Sequence, residues 1–526
     1  MNVRRAIAWS ALAIALFAVT YFLVLGDRID LIDEAWMLWV TKRLTSGDHL
    51  YSDVYFVSTP LAAWLSAGFA LVGGVQIAVL RALEVTVFVA EFLIAISIAR
   101  WCRVSRGTLV VFGGAVFAVG APASEWISIY SSVAVLFVLV ALRLLLVWFD
   151  HRNHVESGSA RTGAWALACA GAACGLSFAS KPNIGLLAVA ATVASIWVTR
   201  RGTETKDPDP LWRVITSVVG AFAAVLVLMT LPILQSGSWS AFVSQVFADK
   251  GDYLRVGSSY FTIVHNQLDT LVGAVAHGER ALSVFHAVVV LLPIVIVVVV
   301  VWAIARTRRE ARALVVMFGI FAAVALLSTF PRPGSNHLAG VAPLAFSATL
   351  GVVVFATRSR PVSRRAHKIT LGLTGAMVAA ALVVVVVHSV TGYTDPLVRR
   401  SGFAHLGGVP VPKRFVGDVN DIRGFVNEHT DGRVFILRED AGFWYLTTGT
   451  TNPLPYDVPE VSDFGAGGER GVIKRLARGE AAWVCVKPAG EVGNGVLEPR
   501  RIRHWVRTHF EFVATIRQCD MYRKRM

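Results

Sequence analysis

The chain has 526 residues, 55% of them hydrophobic and only 16% charged, with a formal net charge of +15. This composition excludes a soluble enzyme, and the apolar residues come in runs of bilayer-spanning length, so the sequence predicts a polytopic membrane protein. The positive charge would suggest a nucleic-acid partner in a soluble chain. Here the arginines cluster between hydrophobic runs, the pattern of cytoplasmic loops, and no nucleic-acid partner is expected.

In chain order, the first hydrophobic segment, about residues 6 to 26, follows Arg4-Arg5 and lacks a small-residue cleavage site, so it reads as a retained helix. The first outer loop, 27–79, opens on Asp33 and Glu34, two adjacent carboxylates at the membrane surface, where ionisable groups need a reason. An amphipathic pattern (Trp36, Leu38, Trp39, Leu44) follows, then Gly47-Asp48, Tyr51, Tyr55, Pro60 and an apolar stretch closed by Gly73-Gly74. Further hydrophobic runs lie near 80–100, 108–121, 132–149, 163–180, 183–199, 212–234, 284–305, 313–330, 338–356 and 369–391, which makes eleven spans with the first. The expected fold is therefore an all-α polytopic bundle of about eleven transmembrane helices, residues 1–391.

The connectors Arg100 to Arg106, His151 to Arg161, Arg200 to Arg213, Arg306 to Arg312 and Arg358 to Lys368 carry the basic residues. All of them lie in the cytoplasm beside Arg4-Arg5, provided that the run Leu61 to Val72 does not cross the membrane. If that run crosses, the chain has twelve spans and its tail lies inside. On the eleven-span reading, loop 27–79, the turn Ala123 to Ser131, Lys181-Pro182-Asn183, the long loop 235–283, the turn Arg332 to His337 and the tail face outward. The tail alternates amphipathic helices with short apolar strands, as in RVFILR and AAWVCVK, and predicts a small extracytoplasmic α/β domain over 392–526. Of the five cysteines, Cys102, Cys169 and Cys174 lie in or beside apolar segments, and none shows metal spacing. Cys485 and Cys519 lie in the tail and are able to pair in an oxidising compartment.

Several polar residues are candidates for chemistry. Asp33 and Glu34 sit where substrates would meet the membrane surface, as base or metal ligand, or else they cap a short helix. Lys181 ends an apolar run as Ala-Ser-Lys-Pro-Asn, where Pro182 would break the helix; the ammonium suits a lipid-linked phosphate or simply snorkels to headgroups. Lys250, Arg255 and His265 stand among aromatics in loop 235–283, as a phosphate clamp or a solvated loop. His337 contacts phosphate or caps a helix. Asp48 and Asp53 read as turn residues. Arg81, Glu84 and Glu91 are expensive in lipid, so they face the bundle or pair with one another, Arg81 with Glu84 at helical spacing.

Taken together, the Asp-Glu pair after the first span, Ser46-Gly47-Asp48, Tyr51-Ser52-Asp53, Pro60-Leu61 with Trp64, Gly175-Leu176 leading to Lys181-Pro182, and Asn336-His337 before a Pro343-containing span form a recognisable order. The order resembles the GT-C superfamily of integral-membrane glycosyltransferases, nearest to the protein O-mannosyltransferase and aminoarabinose-transferase branch, over residues 5–390. The resemblance implies transfer of a sugar, with inversion, from a polyprenyl-phosphate donor to a lipid, glycan or protein acceptor on the outer face of the cell membrane. It assigns the catalytic aspartate to Asp33 and the lysine of the Lys-Pro pair to Lys181. Glu125 and Tyr130 fall where relatives carry a second acidic motif, from which the local Ser-Glu-Trp-Ile-Ser-Ile-Tyr departs. Whether a divalent metal takes part is left open; if one does, Asp33 is its ligand. The alternative function is a transporter or flippase for a lipid-linked sugar, which would place its site near mid-membrane between matching halves.

Overall fold

The computed structural model describes residues 3–122, 128–153, 160–202, 210–248, 259–277, 280–330, 333–360, 363–394, 398–400, 402–460, 464–465, 467–488 and 498–525. Glu125, Lys250, Asp252, Arg255 and Arg332 lie outside them. The chain opens with helices α1 (Val3–Gly26), α2 (Asp33–Thr45), α3 (Leu61–Gly73), α4 (Ile77–Trp101), α5 (Arg106–Gly120), α6 (Ile129–Asn153), α7 (Ala160–Ser180), α8 (Pro182–Gly202) and α9 (Leu211–Gln235). Five more long helices follow: Tyr260–His277, Arg280–Arg306, Arg309–Leu327, Ser335–Ser359 and Arg364–Thr394.

Each of the eleven predicted spans is a helix. A buried backbone in lipid must satisfy its own amides and carbonyls, and these Val-, Ala- and Leu-rich runs do so helically. Among the described residues, 9 helices are long and apolar enough to cross a membrane, while Leu61–Gly73, Arg106–Gly120 and Ala311–Leu327 are shorter. The 13 residues of α3 reach only about 20 Å, less than a hydrocarbon core of about 30 Å. The 15 residues of α5 are hardly longer. Length alone therefore does not separate the two, and the difference between them lies in the basic connector that precedes α5.

By internal contacts the chain divides into two units. The first comprises Met1–Val24, Glu84–Met229 and Ser258–Ser389. It is the helical bundle, and its core buries Leu139, Leu142, Leu146, Ile196, Phe318, Phe321 and Leu344 completely. Pro182 stands at the first position of α8, where its missing amide costs nothing, so the chain reverses between α7 and α8 at Lys181. The two helices approach so closely that a Cβ on Gly185 would lie 2.2 Å from the backbone nitrogen of Phe178. Ser105 caps α5 by accepting from the amide of Thr108.

The second unit comprises Leu25–Leu83, Thr230–Gly257 and Val390–Met526. Its sheet runs in the order β3 (Val434–Leu437), β4 (Trp483–Val486), β6 (Cys519–Lys524), β5 (Phe510–Ile516), and a separate antiparallel pair joins β1 (Val398–Arg400) to β2 (Pro410–Pro412). Strands β3 and β4 are parallel, and the other neighbours in the sheet are antiparallel. Every residue of β3 and β4 is buried, the mark of strands covered on both faces. Helices Gly468–Arg478 and Arg500–His509 cover the sheet with Val472, Leu476, Ile502 and Val506, in a core that also takes Tyr55 from the first loop. The helices and strands predicted for the tail are all present, as a small sheet flanked by helices. The stretch expected as the long loop 235–283 is largely helical in its described part, with Trp239–Val243 and a π-helical turn Ser244–Ala248 before Tyr260–His277. Apolar packing explains the first of these, since Phe242 meets the Tyr51 ring at 5.0 Å and Gln245 bonds the backbone of Tyr51 and Phe56.

Cys485 and Cys519 form a disulfide, with Cα atoms 5.4 Å apart, because β4 and β6 are neighbours. Cys102, Cys169 and Cys174 are free. Alkylation under denaturing conditions should therefore label only these three without reductant and all five after reduction; labelling of either tail cysteine without reductant would refute the bond.

Candidate active site

Asp33 and Glu34 occupy the first turn of α2, and the structure gives the two neighbours different surroundings. The first free amides of the helix are collected not by either of them but by Asp30, whose Oδ1 accepts from Ile32 at 2.8 Å and Asp33 at 3.0 Å. Asp30 in turn donates its own amide to Glu34 Oε2 at 3.1 Å, the reciprocal logic of a capping box. Glu34 is buried and takes a two-pronged ion pair from Arg81, Nε to Oε1 at 2.6 Å and NH2 to Oε2 at 2.9 Å. The same guanidinium holds the carbonyls of Asp27 at 3.0 Å and Arg28 at 3.2 Å. Asp33 remains half-buried, on a backbone fixed from both sides.

Arg81, expected to face the bundle or to pair at helical spacing, bonds to the first loop. There a bidentate partner and two carbonyls match its fork better than one carboxylate three residues away. Glu84 accepts from Ser132 Oγ at 2.7 Å and, like Glu91, is buried in the bundle.

The rest of α2 is clasped by the tail. Trp39 Nε1 donates to Asp457 Oδ1 at 2.8 Å, Asn452 Nδ2 donates to the same oxygen at 2.8 Å, and Arg43 lies 3.3 Å from Oδ2. Burial pushes the Asp457 carboxyl up, against the pull of Arg43 beside it. Trp39 also stacks on Tyr445 at 5.0 Å, and only a glycine fits at 442, since a Cβ there would lie 2.8 Å from the Cα of Trp36. Asp48 and Asp53 are turn residues, as expected: Asp48 pairs with Arg43 at 2.6 Å, and Asp53 accepts from the amide of His49.

In the helical unit, Lys181 Nζ donates to Ser131 Oγ at 3.0 Å and lies 5.4 Å from the centre of the Tyr130 ring. The adjacent Ser180 hydroxyl donates to the carbonyl of Tyr130 at 2.7 Å. Burial lowers the Lys181 ammonium to about 8. Among the described residues no carboxylate pairs with this ammonium. His337 lies in the first turn of its helix, its amide bonded to the Asn336 side chain at 2.8 Å. His265 is exposed and pairs with Asp269 at 3.3 Å on the same helix.

No family model matches the chain, and no curated protein matches it in sequence. Solved structures do match. ArnT from Cupriavidus metallidurans in the apo state overlays on 98% of this chain and 98% of its own, with 14% identity and a TM-score of 0.55. The same protein bound to undecaprenyl phosphate gives 15% identity and a TM-score of 0.52 over the same share of each chain. The arabinofuranosyltransferase AftD from Mycobacteria covers 98% of this chain and 40% of its own, at 16% identity and a TM-score of 0.49. The chain is a multi-pass helical membrane protein with the fold of ArnT, in keeping with the resemblance its motifs carry.

Proposed function

We propose that the chain is an inverting glycosyltransferase that moves a sugar from a polyprenyl-phosphate donor to a lipid, glycan or protein acceptor on the outer face of the cell membrane. The observation that supports it most is the end-to-end likeness to ArnT, which has been solved with undecaprenyl phosphate bound. In the mechanism, Asp33 takes the proton of the acceptor's nucleophile as that atom attacks the anomeric carbon. The bond from that carbon to the phosphate oxygen breaks on the opposite side, and polyprenyl phosphate leaves. Lys181 steadies the charge on the departing phosphate, and Glu34 acts as a positioning residue through Arg81. Among the described residues no three or more His, Cys, Asp or Glu side chains gather; were a divalent ion to take part, Asp33 would hold it and the ion would help the departing phosphate. His337, His265, Arg255 and Glu125 are further candidates for holding donor or acceptor.

Purified protein in detergent, given a radiolabelled polyprenyl-phosphate sugar and an acceptor extract, should transfer the label. Failure to turn over any such donor, with vectorial movement of it in vesicles, would favour transport instead. Lys181→Ala should chiefly raise the KM for donor and be partly rescued by excess donor. Because the free lysine discharges above about pH 8, the parent's donor KM should climb there while the variant's stays flat. Equal pH profiles for the two would remove the phosphate role. On this reading the amino terminus lies in the cytoplasm and the domain after 392 outside. A cysteine replacing Gly402 in whole cells should then react with an impermeant reagent, and reaction only after lysis would overturn the orientation.

A further inference from the structure

At the end of the bundle where α1 begins and α4 finishes, a groove of about 530 Å³ is lined by Ala8, Trp9, Leu12 and Arg100. That volume lies within the roughly 300–1,000 Å³ of small-ligand sites. Trp9 is fixed by packing against the cluster of Phe92, Ile96 and Ala99, and the exposed Arg100 guanidinium lies 4.5 Å from the centre of its ring. Among the described residues no carboxylate pairs with Arg100. The neighbouring acid, Asp150, is already engaged by the Trp101 indole at 2.6 Å. The carbonyls of Cys102 and Arg103 that follow the helix are capped by Arg358, so Arg100 is not needed there. Two further exposed arginines, Arg103 and Arg106, follow in the same connector.

We propose that this groove holds one anionic phospholipid of the surrounding bilayer, with its phosphate on Arg100 and the first part of its acyl chains along Ala8, Trp9 and Leu12. Two features favour that occupant. The α1 side of the groove is apolar, where lipid is the solvent, and among the described residues its one charged lining residue is a cation stacked on an indole near the end of a spanning helix, where headgroups lie. Guanidinium recognises phosphate by paired donors, and basic niches between helices on the arginine-rich side of a membrane favour anionic headgroups. The donor is a less suitable occupant. Lys181, the proposed phosphate ligand, stands at the end of α7 remote from its basic connector, whereas Arg100 stands in the basic connector of α4.

The test is native mass spectrometry of the full-length protein released from gentle detergent, comparing the parent with Arg100→Gln and with Leu12→Trp, which fills the groove and leaves the charge. The parent should retain a phosphatidylglycerol-class lipid that both variants lose. Adding that lipid should raise the parent's melting temperature more than phosphatidylcholine does, with no such difference in the variants. If Arg100→Gln fails to fold, Leu12→Trp decides alone. Loss of nothing on filling the groove, loss of a zwitterionic lipid, or loss of a polyprenyl phosphate would each overturn the proposal.

Discussion

Asp33→Asn should lower turnover at least about a hundredfold, close to 3 kcal/mol of transition-state stabilisation, while leaving the melting temperature near the parent's. The substitution keeps the side chain's shape and removes only its charge and basicity. The local backbone is held by other groups. Asp30 holds the amides of Ile32 and Asp33, and Arg81 holds Glu34 and the carbonyls of Asp27 and Arg28. A drop in kcat with unchanged donor KM would mark an interaction made in the transition state. Asp48→Asn serves as the control, since Asp48 pairs with Arg43 at the far end of α2 and should cost little turnover. If well-folded Asp33→Asn protein transferred sugar at nearly the parent rate, the first loop would lose its catalytic assignment and Glu125 would be the next carboxylate to test.

Lipid makes much of the fold legible in sequence. A spanning helix must be long, apolar and self-bonded, so eleven hydrophobic runs translate directly into helices, and Pro182 marks the turn at Lys181. In the tail, the helices Lys413–His429, Gly468–Arg478 and Arg500–His509 show through their amphipathic period, with Val472 and Leu476 or Ile502 and Val506 inward. Helix Ala441–Thr448 escapes because AGFWYLTT is buried on every side and carries no period. Strand β6, CDMYRK, escapes because its sequence is mostly polar and its partners β4 and β5 supply the apolar faces. In the site, Asp33, Glu34 and Lys181 stand out as ionisable groups beside apolar runs. The clasp on α2 does not, since Asp457 meets Trp39 across 418 positions and no local pattern announces it. Asp30 was within reach of sequence reasoning, as an acid three positions before a helix start, and the adjacent Asp33-Glu34 pair masks it.

Arg81→Leu should be the single change that most destabilises the first loop, by about 3–5 kcal/mol, because it leaves the Glu34 carboxylate buried with neither arginine nor water. Glu34 and Arg81 expose only 1% and 2% of their side chains, so solvent cannot take over the lost bonds. The carbonyls of Asp27 and Arg28 lose their donor at the same time. Glu34→Gln should cost less, since an amide still accepts from the guanidinium while the mutual attraction is lost. The double change Arg81→Leu with Glu34→Leu should recover much of the stability of Arg81→Leu alone, because an apolar pair of similar bulk replaces a desolvated charge. Activity separates stability from positioning. If the pair serves to aim Asp33, the double variant should melt near the parent and still turn over slowly. Thermal melts of the parent, Arg81→Leu, Glu34→Leu and the double variant in one detergent, read with donor turnover, give the coupling directly. An Arg81→Leu protein that melted with the parent would mean that water reaches Glu34, and the assignment of this ion pair as the anchor of the first loop would fail.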